Sequence, residues 1–194
     1  MSRTLRMLLV VLFVGSCAVS SGGTPRNLDN ACSIVNQKPQ YLRAFKRTER
    51  RWGVPVSVQM AVIHQESKFK PRARPPVRYA LGIIPRGRAS SAYGYAQALD
   101  GTWDDYKKRS GRFGASRSNI RDASDFIGWY MTGAKRRAGI PLNDARNQYL
   151  AYHEGVGGYM KGSYRSKGWL LSVANKVDAR AAMYNRQLRR CGKI

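Results

Sequence analysis

Acidic residues are scarce in this chain: 11 Asp and Glu stand against 35 Lys and Arg, for a formal net charge of +24. Such an excess suits polyanionic partners. The basic residues are scattered along the chain, however, rather than grouped in a DNA-reading motif, so a solvated basic face accounts for most of them and no nucleic acid is expected. Histidine and cysteine are few, two and three respectively. Neither His64 nor His153 has metal-ligand spacing to any cysteine, which argues against zinc, leaves both histidines structural roles, and predicts no metal and no cofactor. Also missing are an alternating strand pattern of convincing length and any internal repeat. The apolar run Met7–Val14 is too short to span a bilayer.

What the N-terminus does contain is Arg3 and Arg6, then that apolar run, then Val14-Gly15-Ser16-Cys17, the three-part pattern of an export signal. Its last four residues resemble a bacterial lipobox, in which cleavage precedes the cysteine and Cys17 becomes the lipidated terminus. Residues 1–16 are therefore expected to be a lipoprotein signal peptide, and Cys17 a membrane anchor. Residues 17–31, rich in Ser and Gly, have the composition of a flexible tether, and 32–194 are long enough for one domain with its own core. An exported basic protein meets cell-wall glycopeptide, lipopolysaccharide and anionic lipid head groups. In an oxidising compartment, Cys32 and Cys191 at the two ends of the domain are most simply paired as a disulfide.

The domain reads as helices joined by glycine-rich loops, an all-α architecture. Tyr41, Leu42, Phe45 and Trp52 mark one helix that Gly53 can end, and Pro55 suits the first turn of the next. That second helix, Ser57 to Glu66, repeats apolar residues at three and four and places a single carboxylate in its last turn. Apolar walls and the negative end of the helix dipole both disfavour the charged form there. Residues 70–88 hold too many Pro and Gly for a helix and read as a loop or short irregular hairpin. Further helices are expected from Thr102 or Trp103 to Arg109, from a cap at Asp122 or Ser124 to Gly139, from Asn143 to Tyr152 where Gly155, Gly157 and Gly158 stop it, and from Leu170 to Leu188.

Three short segments stand in order: Glu66-Ser67-Lys68-Phe69, Ala92-Tyr93-Gly94-Tyr95-Ala96-Gln97, and Ala151-Tyr152-His153-Glu154-Gly155. Together they resemble the three signature motifs of the soluble-lytic-transglycosylase family, Glu-Ser-x-Phe, Gly-Leu-Met-Gln and Ala-Tyr-Asn-Ala-Gly, over roughly Tyr41 to Met160. The resemblance implies a lysozyme-like single domain with long loops around a glycan-binding cleft. It also implies cleavage of the MurNAc–GlcNAc bond of peptidoglycan with formation of a 1,6-anhydromuramoyl product. By position, Glu66 matches the catalytic acid, Gly94 and Gln97 the turn and amide that line the cleft, Tyr152 the tyrosine near the acid, and Ser91 the serine before the second motif. Tyr95 and Tyr159, flanked by glycines, are expected in the cleft.

The departures are Tyr95-Ala96 inside the second motif, His153-Glu154 inside the third, and a longer gap from Glu66 to Gly94. Glu154 adds a second carboxylate to the substrate-binding set. A second carboxylate that held a water would turn the outcome towards hydrolysis by a muramidase on the same fold. A third possibility is a non-catalytic protein that binds peptidoglycan or nucleic acid through charge. The implied partner is the peptidoglycan glycan strand, with the membrane reached through Cys17. The implied location is the periplasmic face of the outer membrane in a Gram-negative host, because Ala18 rather than Asp follows the cysteine.

Overall fold

The computed structural model describes residues 23–81 and 83–194. The expected signal peptide 1–16 and the expected lipidation site Cys17 lie outside them. Among the described residues the chain forms α1 (Ala31–Gln37), α2 (Pro39–Trp52), α3 (Val56–Ser67), a hairpin of β1 (Val77–Ala80) and β2 (Ile84–Arg88), then α4 (Asp100–Ser110), α5 (Ile120–Ala138), α6 (Ala145–Met160) and α7 (Gly168–Arg190). The domain is all-α, as the periodicity predicts, with one small antiparallel hairpin in the 70–88 segment.

The arrangement follows from which helices have one apolar face and which have two. On α2 the buried residues Tyr41, Ala44, Phe45 and Thr48 recur at three and four, so the helix is amphipathic and lies at the surface. On α3 all but Gln65 and Glu66 are buried, and the helix runs through the centre against α2, α5 and α7. Gly53 takes a left-handed φ of 75° and its N–H donates to Glu49 O at 2.8 Å, ending α2 so that the chain can turn into α3.

Buried polar groups hold the helices in register. Gln59 on α3 donates to Phe45 O at 3.1 Å and Val54 O at 2.7 Å, and its Oε1 accepts from the Ser124 hydroxyl of α5 at 2.7 Å. Because the Ser124 proton is thus committed, the 2.7 Å contact between Thr48 and Ser124 is donated by Thr48. The carboxylate of Asp125 accepts from Arg51, from the Trp52 indole at 3.0 Å and from the Tyr106 hydroxyl at 2.7 Å, which joins α2, α4 and α5.

Several boundaries differ from the sequence expectation. The cap of α5 is Asn119, whose side chain accepts from Arg121 N at 2.9 Å. Asp122 and Ser124 lie inside the helix, Asp122 because Arg112 and Ser116 N hold its carboxylate and Ser124 because it completes the buried chain to Gln59. In α6 the glycines do not end the helix: Gly155 alone breaks it, at φ 73° and ψ 151°, and helical turns resume to Met160. Residues 28–31, placed in the tether by composition, lie against α7. Leu28 O accepts from the Tyr184 hydroxyl, Asp29 pairs with Arg180 at 2.7 Å, and Ala31 opens α1 with its N–H on Gln187 Oε1 at 2.7 Å.

Cys32 on α1 and Cys191 at the end of α7 are joined as a disulfide across 159 residues, as their positions at the domain ends predict. In the chain-entropy account a loop of this length contributes about 4–5 kcal/mol. Where α2 crosses α5, Gly128 leaves no room for a side chain: an added Cβ would lie 2.5 Å from Trp52 Cδ1 and 2.7 Å from Thr48 Cγ2. Gly128→Ala is therefore expected to lower the free energy of unfolding by about 1–3 kcal/mol, read as a lower urea midpoint. An unchanged midpoint would mean that the α2–α5 contact yields without cost.

Candidate active site

The site starts at the C-terminus of α3, where the sequence Glu66-Ser67-Lys68-Phe69 sorts its four side chains in different directions. Ser67 turns inward and donates to Ile63 O at 3.1 Å. Lys68 and Phe69 both take left-handed backbone angles, φ 52° and 59°, and stop the helix. That stop drives Phe69 into the core, where its ring stacks on Tyr41 at 5.9 Å. Two consecutive non-glycine residues in this region carry a conformational cost, and burying a whole phenyl ring offsets it. Glu66, one residue before the end, is left facing α6 and is partly exposed.

Two tyrosines of α6 receive it. Tyr149 donates its hydroxyl hydrogen bond to the Glu66 carboxyl, and Tyr152, one turn further, lies close enough for its own ionisation to be opposed by Glu66. Burial is the dominant influence on the acid and pushes its pKa up to about 7, against smaller downward pulls from the Tyr149 hydrogen bond and from Lys68. Around neutral pH a large fraction of Glu66 therefore carries its proton.

The second motif is a tight turn closed by an antiparallel bridge between Tyr93 and Ala98. Gly94 is required there twice over: its φ is 80°, and a Cβ would sit 2.1 Å from Arg117 O. Gln97, itself at φ 47°, donates from Nε2 to Ala73 O and Gly94 O, both at 2.9 Å, so its amide nitrogen staples the turn to the chain that follows α3. The third motif meets the second through Tyr152, whose hydroxyl donates to Ala96 O at 2.5 Å. Gln97, Ala98, Tyr130, Tyr152, His153 and Glu154 are among the residues lining a cavity of about 270 Å³ where the two motifs meet. Tyr152 thus joins the third motif to the second, and α6 brings Tyr149 and Tyr152 beside Glu66.

Three other expected site residues have different surroundings. Tyr95 is buried: its hydroxyl lies 2.8 Å from that of Tyr41 and its ring packs edge-on to the same residue, because the apolar cluster of Tyr41 and Phe69 lies beneath the turn. Ser91 is exposed, and its hydroxyl accepts from Asp100 N at 3.1 Å, serving as the cap of α4 that Leu99, the residue at the cap position, cannot supply. Tyr159 stacks on Tyr164 with ring centres 5.1 Å apart.

Glu154 lines the cavity, but its carboxylate is committed. Lys167 Nζ lies 2.8 Å from both oxygens, His153 Nδ1 is 3.1 Å from one, and the Ser163 hydroxyl donates to the other. Those partners, with Lys167 and Ser163 foremost, hold its pKa down to about 2. Two carboxyls near one cleft are thereby pushed apart, one towards the acid form and one firmly ionised. Among the described residues no three His, Cys, Asp or Glu side chains come together where a metal ion would be held. His64 packs edge-on to Phe69 and Tyr184 on the far side of α3, and burial lowers its pKa to about 4.

Tyr149 is a participant that none of the three motifs marks. Its signal was available, since it stands three residues before Tyr152 and so shares its helix face. A helical domain with one raised-pKa acid beside a cavity closed by a Gly–Gln turn is the arrangement of a lysozyme-like glycan-cleaving enzyme. The family of the transglycosylase SLT domain matches residues 5–191, and the chain belongs to it. Membership of that family implies an enzyme that acts on peptidoglycan. Among curated proteins, none matches the chain.

The sign of the Glu66 shift gives a stability prediction. With a folded pKa near 7 above the ordinary 4.5, the native state binds this proton more tightly than the unfolded chain, so stability is full below about pH 4.5 and falls as the pH rises to about 7. Glu66→Gln removes that loss, and the variant is expected to exceed wild type by about 2–3 kcal/mol at pH 8 while matching it near pH 4. Urea titrations at the two pH values check this; equal differences at both would place the Glu66 proton affinity near that of a solvated carboxyl. Separately, Gly94→Ala is expected to cost more than about 2 kcal/mol through the clash with Arg117 O and the left-handed angle, read by thermal melting.

Proposed function

We propose that the chain is a lytic transglycosylase that cuts the β-1,4 bond between MurNAc and GlcNAc and leaves a 1,6-anhydromuramoyl end. The observation that carries this is Glu66: one carboxyl, pushed up to about 7 by burial and held by the Tyr149 hydroxyl, beside the meeting point of the second and third motifs. In the first half of the reaction the protonated Glu66 gives its proton to the glycosidic oxygen as the C1–O bond breaks. In the second half the resulting carboxylate takes the proton of the muramoyl C6 hydroxyl, whose oxygen closes on C1. The proton count returns to its start, and no water enters or leaves.

The chemistry therefore asks for one acid that becomes a base, not for two carboxylates flanking a water. The commitment of Glu154 to Lys167, Ser163 and His153 supports this over hydrolysis, because a carboxylate with both oxygens occupied and its pKa near 2 is a poor general base. Tyr152 and the Gly94–Gln97 turn would border the glycan, Gln97 offering the carbonyl end of its side-chain amide. The Val14-Gly15-Ser16-Cys17 pattern supports a lipid anchor at Cys17 and, with Ala18 behind it, a place on the periplasmic face of an outer membrane.

Digestion of purified sacculi tests the proposal. Wild type is expected to release muropeptides with anhydro ends, one water lighter than hydrolytic products by mass, and Glu66→Gln to release none while still binding sacculi. Products a water heavier would make the enzyme a muramidase, and undiminished release by Glu66→Gln would remove the acid from its role. Glu154→Gln is expected to leave the anhydro product unchanged. The activity is expected to fall as pH rises past about 7, and Tyr149→Phe, which removes a bond favouring the charged acid, is expected to move that limb to higher pH.

A further inference from the structure

A second, larger cavity, about 550 Å³, lies away from Glu66, between the start of α2 and the start of α5. Its lining includes Lys38, Arg43, Arg47 and Arg121 and not one Asp or Glu. Arg43 and Arg47 are exposed and stand one turn apart on α2, and among the described residues neither makes an ion pair. Arg121 Nε is 3.7 Å from Asp122 Oδ1, an oxygen already taken by Arg112 at 2.6 Å. Tyr41 and Tyr95, whose hydroxyls are buried against each other 2.8 Å apart, form part of the lining of the same groove. Among the described residues five arginines pair with carboxylates, as Arg51 does with Asp125 and Arg180 with Asp29, and Arg43 and Arg47 do not. Arg43, Arg47 and Arg121 thus line one groove whose own lining carries no carboxylate, Asp122 lying outside it.

The rim of this groove is also where the chain enters the domain. Gly23 lines it, and three residues on, Arg26 is clamped to α1 by reciprocal bonds with the Gln37 side chain at 3.0 and 3.1 Å. We propose that the groove seats the domain on the phosphates of an anionic lipid surface, the surface in which a lipid on Cys17 would lie. This rests in part on the lipid anchor put forward above. Whatever path they take, the residues from Cys17 to Gly23 reach at most about 21 Å, so the Gly23 rim cannot leave the neighbourhood of the head groups. Planar guanidinium groups take phosphate oxygens in pairs, and the basic groove held at that distance gains from each of them. Tethering and charge then act on the same face, the first raising the local concentration of phosphate and the second orienting the domain.

The test uses the chain from residue 17 onward with Cys17→Ser, which keeps every described helix and the disulfide but has no lipid. Co-sedimentation with phosphatidylcholine vesicles, with and without phosphatidylglycerol, is expected to show binding only to the anionic vesicles. The triple variant Arg43→Ala, Arg47→Ala, Arg121→Ala is expected to weaken it about a hundredfold. The control triple Lys108→Ala, Arg136→Ala, Arg137→Ala removes equal charge, two of its residues at the opposite end of α5, about 22 Å from Arg121; a severalfold loss or less is expected. Both triples are expected to digest sacculi as the parent does. Equal losses in the two triples, or no preference for anionic vesicles, overturn the proposal. So does a groove triple that loses sacculus binding but keeps vesicle binding, which would assign the arginines to stem-peptide carboxylates. The mass of Cys17 in protein extracted from bacterial membranes decides the anchor separately: an unmodified Cys17 removes the tether while leaving groove-dependent vesicle binding to stand.

Discussion

The hydrogen bond from Tyr152 to Ala96 O is the contact on which the site depends. It joins α6, which carries the tyrosines beside Glu66, to the turn that borders the cavity, segments separated by 56 residues. Ala96 can accept it only because Gly94 and Gln97 bend the backbone through left-handed angles, and Tyr152 can reach it only from a helix whose preceding turn places Tyr149 on the acid. Tyr152 is half-buried, and losing this acceptor would leave its hydroxyl to be satisfied by solvent or not at all. The acid, its hydrogen-bond donor and the turn are in this way one mechanical unit.

Much of this was legible in the chain, and for identifiable reasons. The helices declared themselves where apolar residues recur at three and four and where Gly53, Gly111 and Gly139 follow the last turn, each now seen at a positive φ. Glu66 could be singled out because a lone carboxylate ending an apolar run has an unusual electrostatic position whatever surrounds it. What was not legible depends on partners distant in sequence. Tyr95 reads as a cleft residue beside its glycine, yet Tyr41, 54 residues earlier, draws it inward. Ser91 reads as part of a motif until Asp100 N is found against its hydroxyl. The short helix α1 has no long apolar period to announce it and is held by Gln187 and the disulfide, neither of them local.

Glu154 illustrates how environment divides the labour of chemically identical groups. Glu66 on α3 and Glu154 on α6 are the same kind of group, and the protein separates them by what it places around each. Glu66 has tyrosine hydroxyls and carbon for neighbours; Glu154 has an ammonium, a hydroxyl and an imidazole. The departure from the usual third motif thus adds charge pairing at the rim of the site without adding a second free carboxylate to its floor. The apolar tip of the hairpin, where Leu81 and Ile83 stand 90 % and 78 % exposed, lies in the segment between the first two motifs.

The joining of the chain's two ends has a mechanical consequence. Tension entering through the residues before Gly23 first meets the Arg26–Gln37 clamp on α1. From there the covalent link of Cys32 to Cys191 and the bonds of Leu28, Asp29 and Ala31 to α7 carry it across the domain into its longest helix. A 7-residue helix that would otherwise peel away first is loaded in parallel with one of 23. Load reaching Arg26 is thereby shared with α7 before any turn of α1 has to carry it alone.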